Sequence, residues 1–328
     1  MVLGTLLHVA FILLGLVLIL VGANALTDGA SAIAKRFGLS DLVVGLTVVA
    51  FGTSTPELVI SVLSASSGSA DLSIGNVVGS NIFNILAIIG VTALVYPVKV
   101  ERTVMTREIP MVVISSLVLL ILGNTALLDN TQGSIITRSA GIFLLLFMFI
   151  FMWYMLASAK NAQPGEPEEQ AGSAKKPMSV IKSIIWVVAG LAMLIIGGDR
   201  FVAGAVEIAH TLGVSEAVIG LTIAAMGTSL PELATSVVAA CKGQTGLAVG
   251  NVIGSCIFNV FAVLGFAATI TPLQFGAIGN LDLLTLLGAS VMFMMFGWLF
   301  GKRTFTRIEG GIMTACYVAY IAVLVVNS

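Results

Sequence analysis

Residues 52–57 of the chain read GTSTPE, and residues 227–232 repeat the pattern as GTSLPE, 175 positions later. Sliding the chain against itself by that offset aligns residues 43–97 with 218–272 without a gap. Of the 55 aligned positions, 28 are identical. Chance does not produce such agreement, so the chain contains an internal duplication.

The composition around this repeat is that of a membrane protein. The chain has 328 residues, of which 58% are hydrophobic and only 9% are charged. Because a bilayer core about 30 Å thick needs about 20 apolar residues per helix, the hydropathy predicts ten spans in an all-α integral membrane fold. The predicted spans are residues 5–27, 42–66, 72–97, 107–124, 137–158, 181–207, 216–240, 247–271, 281–300 and 307–326.

The most hydrophilic stretch divides these spans into two sets of five. It runs from Lys160 to Ser179 and has the Pro, Gly, Glu and Lys content of a flexible linker. We therefore expect a first five-helix repeat over 1–158, a linker over 159–180 and a second repeat over 181–328. Since five is odd, the second repeat enters the membrane from the opposite face, and the halves form an inverted-topology pair.

The basic residues give the expected orientation. One side of the predicted topology receives 13 of the 15 Lys and Arg residues, and the other keeps only Arg138 and Arg200. By the positive-inside rule the first side is cytoplasmic. The linker is then cytoplasmic, both termini are extracytoplasmic, and the protein is a multi-pass protein of the plasma or inner membrane. These basic residues are spread over short loops, so no nucleic-acid partner is indicated.

Two acids fall in the middle of otherwise apolar spans. Glu57 and Glu232 end the repeated motif near the predicted mid-depth of the bilayer. An ionised side chain there costs at least about 2.5 to 3.5 kcal/mol, so each acid needs a cation, a proton or a wet cavity. Equivalent acids in two inverted halves converge near the two-fold axis, which predicts a shared cation site.

Neutral oxygens accompany both acids. Pro56 and Pro231 interrupt helical bonding before each acid, which leaves the carbonyls near Ala50 and Ala225 available as ligands. In a continuous helix a residue four positions before each acid shares its face. By that spacing the hydroxyls of Thr53 and Thr228 point the same way as the carboxylates of their own motifs.

The partner spans carry GNVVGSNIFN at 75–84 and GNVIGSCIFN at 250–259. Residues spaced by four make one polar stripe in each span: Asn76, Ser80 and Asn84, then Asn251, Ser255 and Asn259. Asn81 lies off this stripe and is replaced by Cys256 in the copy, so we do not expect it to be a ligand. The whole set is oxygen, which suits hard cations such as calcium and sodium.

The duplicated GTSxPE and GNxxGSxIFN motifs resemble the two α-repeats of sodium/calcium exchangers, in the cation/calcium antiporter superfamily. The short linker resembles prokaryotic members. The resemblance implies that Glu57, Glu232, Thr53 and Thr228 hold calcium. It implies that the sodium subsites or the central position are completed by Ala50, Ser54, Ser80, Asn84, Ala225, Ser229, Ser255 and Asn259. Some relatives carry Asp where this chain has Asn259, which makes potassium dependence less expected here.

The function expected from this sequence is sodium/calcium exchange by alternating access, in a transporter rather than an enzyme. A proton/calcium antiporter using the same acids stays open as an alternative, and a cation channel or an intramembrane hydrolase is less consistent with the motifs. We expect no cofactor and no obligate protein partner, so a monomer is plausible. Acids at predicted helix ends, such as Asp28, Asp199 and Asp282, are expected to be interfacial or capping residues.

Overall fold

The computed structural model describes residues 2–130, 132–161, 178–212, 225–276, 278–299 and 303–327. Within these residues the fold is helical, apart from four two-residue strands. The longer helices, numbered in chain order, are α1 (Val2–Phe37), α2 (Asp41–Thr53), α3 (Thr55–Ser66), α4 (Ala70–Val95), α5 (Val104–Gly123), α6 (Arg138–Asn161), α7 (Val180–Thr211), α8 (Leu230–Cys241), α9 (Thr245–Ile270), α10 (Asn280–Leu299) and α11 (Arg307–Asn327). Short helices cover Thr125–Leu128 and Ala225–Gly227.

Eight of these helices are long and apolar enough to cross a membrane: α1, α4, α5, α6, α7, α9, α10 and α11. The pair α2 and α3 adds a ninth if the two are taken as one broken span. The seventh predicted span, 216–240, begins outside the described residues, and α8 is its second part. The predicted count of ten is therefore neither reached nor excluded by the part of the chain that the structure describes.

The first helix is longer than the sequence predicted. The apolar window ended at residue 27, whereas α1 continues to Phe37. Lys35 and Arg36 lie in its last turn, where basic side chains interact favourably with the helix dipole. Gly38, with a φ of 65°, then ends the helix in the left-handed conformation that glycine adopts without strain.

α1 packs along α7 through glycines. A side chain carbon added at Gly22 would lie 2.8 Å from the carbonyl oxygen of Gly190, and one added at Gly190 would lie 2.6 Å from the backbone nitrogen of Leu26. Gly15 and Gly197 face each other in the same way one interval further along. Small residues at this spacing let two helix backbones approach closely in a membrane. The two helices therefore form one tightly joined pair.

The interior of the protein is built around α4 and α9. The most apolar segment of α9 is buried along its whole length, and that of α4 is buried over 83% of its residues. In contrast, α1, α6 and α7 expose large apolar side chains such as Leu13, Phe149 and Ile181. Exposed apolar side chains on long helices are suited to contact with lipid. The polar side chains of α4 and α9 are consequently enclosed by protein.

Two short strand pairs connect the two halves of the chain. Val98–Lys99 follows α4 and pairs with Thr304–Phe305, which precedes α11. Leu273–Gln274 follows α9 and pairs with Ile135–Ile136, which precedes α6. Both pairs are antiparallel, and each joins the end of a central helix to the start of a peripheral helix from the other half. The two strand pairs therefore make equivalent connections between the first and second halves of the chain.

Candidate functional site: a buried carboxylate pair

Both glutamates lie in the first turn of a helix that starts deep inside the protein. α2 and α3 meet at Ser54 with a bend of 45°, and Pro56 occupies the first turn of α3, where its missing N–H is not needed. Pro231 has the same place in α8. Glu57 and Glu232 follow each proline directly, and each is only 1% exposed. The free N–H groups of a helix start favour negative charge at these positions.

Serines from opposite halves connect the two acids. Ser54 donates a hydrogen bond of 2.9 Å to Oε1 of Glu232, and Ser229 donates one of 3.0 Å to Oε1 of Glu57. Each carboxylate is in direct contact with the residue that stands three positions before the other acid in the chain. Glu57 and Glu232 are therefore brought together in one buried place.

The threonines lie beside the acid of the opposite half and not beside their own. Thr53 is near Glu232, and Thr228 is near Glu57. The prediction that Thr53 shares a continuous helix face with Glu57 was wrong, because the chain bends at Ser54 between them. The hydroxyl of Thr53 also donates to Oδ1 of Asn251 at 3.1 Å. Each threonine therefore lies in the same site, beside the glutamate of the other half of the chain.

Several buried oxygens of this cluster have no hydrogen-bond partner in the described part of the chain. They are Oε2 of Glu57, Oε2 of Glu232, Oγ1 of Thr228, Oγ of Ser80, Oδ1 of Asn84 and Oδ1 of Asn259. Buried polar atoms are rarely left without partners, since each costs about 1 to 3 kcal/mol. All six belong to the predicted ligand residues. A cation that accepts oxygen ligands would satisfy them.

Three further predicted ligands are Ser255, Ala50 and Ala225. Ser255 lies 3.5 Å from Oε1 of Glu232. The carbonyl of Ala50 accepts the backbone N–H of Ser54 at 3.0 Å, so a cation would use its second lone pair. Ala225 is the first residue of the short helix Ala225–Gly227. The donor set of the site therefore combines two carboxylates with hydroxyls, amides and carbonyls.

A second set of polar residues holds the acid-bearing turns. The amide of Asn76 donates to the carbonyl of Glu57 at 3.2 Å and to Ser61 at 3.0 Å. In the other half, Asn251 donates to the carbonyl of Glu232 at 3.3 Å and to Ser236 at 3.1 Å. Ser61 and Ser236 were not among the residues predicted from the sequence. Their identity at equivalent repeat positions was the signal that could have found them.

Asn81 is closer to the site than the sequence indicated. It is 1% exposed, and its side chain bonds Asn259, a predicted ligand, at 3.0 Å. Spacing along one helix separates Asn81 from the polar stripe of α4, but α9 crosses α4 at this point. A residue off the stripe of its own helix can thus contact the stripe of the partner helix.

Asn84 and Asn259 lie in segments where the helix is wider than an α-helix. Phe83–Ile88 and Asn259–Val263 are π-helical turns, and Asn84 and Asn259 lie at their starts. A third π-helical turn, Gly45–Val49, directly precedes Ala50. Such turns are uncommon and often occur at functional sites. Here they occur in equivalent places of the two central helices.

The chemistry of the site is that of a hard-cation site. Within the described ranges, the salt bridges join partly or largely exposed side chains, as between Lys242 and Asp28 at 2.8 Å, and neither glutamate takes part in one. Among the described residues, no three His, Cys, Asp or Glu side chains lie together as they would in a metal site built from those residue types. Two carboxylates among neutral oxygens provide two negative charges, which one divalent ion neutralises.

Of the acids predicted at helix ends, Asp282 caps α10, whereas Asp28 and Asp199 lie within α1 and α7. Asp282 accepts the backbone N–H of Gly279 at 3.1 Å, at the start of α10, and the hydroxyl of Tyr320 at 2.7 Å. Asp28 binds Lys242, which also contacts Thr27. These contacts account for the two acids without a role in cation binding.

Comparison with known proteins agrees with this chemistry. The family described as sodium/calcium exchanger protein matches residues 7–157 and 182–326. The sodium/calcium exchanger MaX1 of Methanosarcina acetivorans is 32% identical over 353 aligned positions, covering 95% of this chain and 97% of MaX1. The inner membrane protein YrbG of Escherichia coli is 33% identical over 324 positions, with 97% of each chain covered. A protein named CaxA from Alkalimonas amylolytica is 38% identical over 94% of this chain and 96% of its own.

The fold is also similar to solved structures. A structure of the sodium-calcium exchanger NCX_Mj soaked with sodium and no calcium superposes with a TM-score of 0.80 at 30% identity. The alignment covers 97% of this chain and 99% of that one. A second structure of that protein, soaked with sodium and strontium, superposes with a TM-score of 0.81.

Proposed function

The chain belongs to the sodium/calcium exchanger protein family and is a cation/calcium antiporter of the membrane, and we propose that it exchanges sodium for calcium by alternating access. The observation that carries this proposal is the reciprocal contact between Ser54 and Glu232 and between Ser229 and Glu57. It brings two acids from different halves into one buried site. Members of this family are ion exchangers, not enzymes.

The proposed architecture is ten spans in two inverted repeats, 1–158 and 181–328, joined by a cytoplasmic linker over 159–180. The gap-free repeat supports it, as do the two strand pairs that join opposite halves. The bias of basic residues supports termini on the extracytoplasmic side.

The proposed calcium ligands are Glu57, Glu232, Thr53 and Thr228. Both acids have one oxygen without a partner, and both threonines lie beside the acid of the other half. The proposed sodium ligands share these acids and add Ser54, Ser80, Asn84, Ala50 and their equivalents Ser229, Ser255, Asn259 and Ala225. Because sodium and calcium both prefer oxygen ligands, the two ions compete for one pair of carboxylates. Competition for a shared site makes the transport an exchange.

Alternating access follows from the cost of moving charge. Two ionised carboxylates without a cation would have to be enclosed in a medium of low dielectric while the site changes sides, which is unfavourable. Only the ion-filled protein reorients. The tightly joined pair α1 and α7 lies against the acid-bearing segments, since Leu191 and Val202 of α7 contact Gly52 and Gly227. We assign to this pair the sliding movement that opens one side at a time.

The experiment that tests the counter-ion uses purified protein in liposomes. Vesicles loaded with sodium and diluted into sodium-free medium with calcium should accumulate calcium, whereas vesicles loaded with an organic cation should not. If more sodium charge than calcium charge moves per cycle, an inside-positive potential increases uptake, by about 2.3 kcal/mol of driving force per net charge per 100 mV. Calcium uptake driven by a pH gradient without sodium would refute sodium exchange and favour a proton antiporter. Flux without any trans-ion requirement would indicate a channel.

A further inference from the structure

The two halves differ at one buried position beside the site. Asn81 of α4 and Cys256 of α9 are equivalent residues of the repeat, and both are buried where the two helices cross. Each lies next to the amide of the opposite half: Asn81 next to Asn259, and Cys256 next to Asn84. The repeat is therefore asymmetric at the point where the two predicted amide ligands are held.

The orientation of the Asn259 amide follows from a chain of two hydrogen bonds. The side-chain nitrogen of Asn81 donates to the backbone carbonyl of Cys256 at 3.0 Å. A carbonyl can only accept, so this contact requires the NH₂ group of Asn81 and turns its oxygen away. That oxygen accepts from the side-chain nitrogen of Asn259 at 3.0 Å. The oxygen of Asn259 consequently points away from Asn81, and it has no hydrogen-bond partner in the described structure.

The other half has no such chain of hydrogen bonds. Cys256 presents a thiol in place of an amide, and a thiol is a weak donor and a weak acceptor. Neither the nitrogen nor the oxygen of the Asn84 amide makes a hydrogen bond within the described residues. With only the weakly bonding Cys256 thiol beside it, the Asn84 amide is not held in one orientation by a strong hydrogen bond.

We propose that Asn81 is a positioning residue for cation binding: it holds the Asn259 amide with its oxygen towards the cation, while Asn84 stays free to rotate. Asn259 follows Ser255 by one turn on the same face of α9, and Ser255 lies against Glu232. The inference rests on the proposed function, in which Asn259 is a cation ligand. In this arrangement the amide of Asn259, in the second half, is held in one orientation, whereas the amide of Asn84, in the first half, can rotate.

The test is a double-mutant cycle that compares Asn81→Cys in two backgrounds. Calcium binding to the purified protein in detergent is measured by titration calorimetry, without a counter-ion. In the wild-type background we expect about tenfold weaker binding, because the Asn259 amide loses its partner and can present NH₂ to the cation. In the Asn259→Asp background we expect a change within about twofold, because a carboxylate has oxygen on both sides and needs no orientation.

A matched control removes an amide pair outside the site. Asn124 and Asn280 exchange hydrogen bonds of 2.8 and 3.0 Å at the ends of α5 and α10. Asn124→Cys should leave calcium affinity unchanged. If Asn81→Cys does not fold, Asn81→Ser removes the same contact with another small side chain and is expected to behave alike.

The outcomes separate this inference from the proposed function. Equal losses from Asn81→Cys in both backgrounds would show a structural role and overturn the inference, as would unchanged affinity in the wild-type background. In either case the proposal that the wild-type protein exchanges sodium for calcium would still stand. Wild-type protein that binds no calcium would refute the exchanger itself, and with it any cation-facing role of Asn259.

Discussion

The glycine contact between α1 and α7 gives the most quantitative prediction, for the variant Gly190→Ala. The added carbon would lie 2.6 Å from the nitrogen of Leu26 and 2.8 Å from the carbonyl oxygen of Gly22. Ordinary contacts are about 3.5 to 4.0 Å, so the two backbones must separate by roughly 1 Å. Overpacking of this kind costs about 1 to 3 kcal/mol. The better helix propensity of alanine offsets about 1 kcal/mol of this cost.

The matched control is Gly311→Ala in α11. An added carbon there meets its nearest neighbour, Cδ2 of Leu94, at 3.8 Å, which is an ordinary contact. This variant keeps the gain in helix propensity and has no overpacking cost. Its free energy of unfolding should therefore exceed that of Gly190→Ala by about 1 to 3 kcal/mol.

The assay combines unfolding in detergent with exchange in liposomes. Since the sliding movement requires α1 and α7 to stay joined, Gly190→Ala should slow exchange severalfold while calcium affinity stays near wild type. Gly22→Ala, whose added carbon faces the carbonyl of Gly190 at 2.8 Å, should act in the same direction. If Gly190→Ala matches Gly311→Ala in both stability and exchange rate, the close-packed pair does not have the role assigned to it.

Two further predictions concern hydrogen bonds to buried acids. Ser54→Ala and Ser229→Ala each remove one hydrogen-bond donor from the glutamate of the opposite half. Each substitution should therefore weaken calcium binding about five- to fiftyfold, as measured by titration calorimetry. An effect of only one of the two substitutions would contradict the reciprocal arrangement. Tyr320→Phe leaves Oδ1 of Asp282 without its 2.7 Å donor and should lower the free energy of unfolding by about 1 to 3 kcal/mol with exchange unchanged, whereas Tyr96→Phe at an exposed site should have little effect on either.

Much of the architecture could be predicted because the duplicated motif is long and free of gaps. Apolar windows located the helices, and the prolines located the starts of α3 and α8. The family resemblance is confirmed by the match over residues 7–157 and 182–326. The end of α1 was missed because hydropathy falls at Asp28, whereas helix formation depends on backbone bonding and continues to Phe37.

Contacts between helices were harder to predict than positions along them. Spacing within one helix assigned Thr53 to Glu57, but the bend at Ser54 directs it to Glu232. Asn81 was set aside because it lies off the stripe of α4, yet the crossing of α9 brings Asn259 to it. The internal repeat predicted that the two acids converge, but residue spacing along one helix does not give the residue-to-residue contacts between helices, so those contacts needed the structure.

In the proposed exchanger, one glutamate from each half holds the transported calcium. Sodium-gradient-driven calcium uptake into liposomes tests it with Glu57→Gln, Glu232→Gln and the exposed control Glu101→Gln. We predict that either buried substitution abolishes uptake, because one carboxylate cannot neutralise a divalent ion at this depth, and that the control behaves as wild type. Uptake at the wild-type rate in either Glu57→Gln or Glu232→Gln would contradict the account.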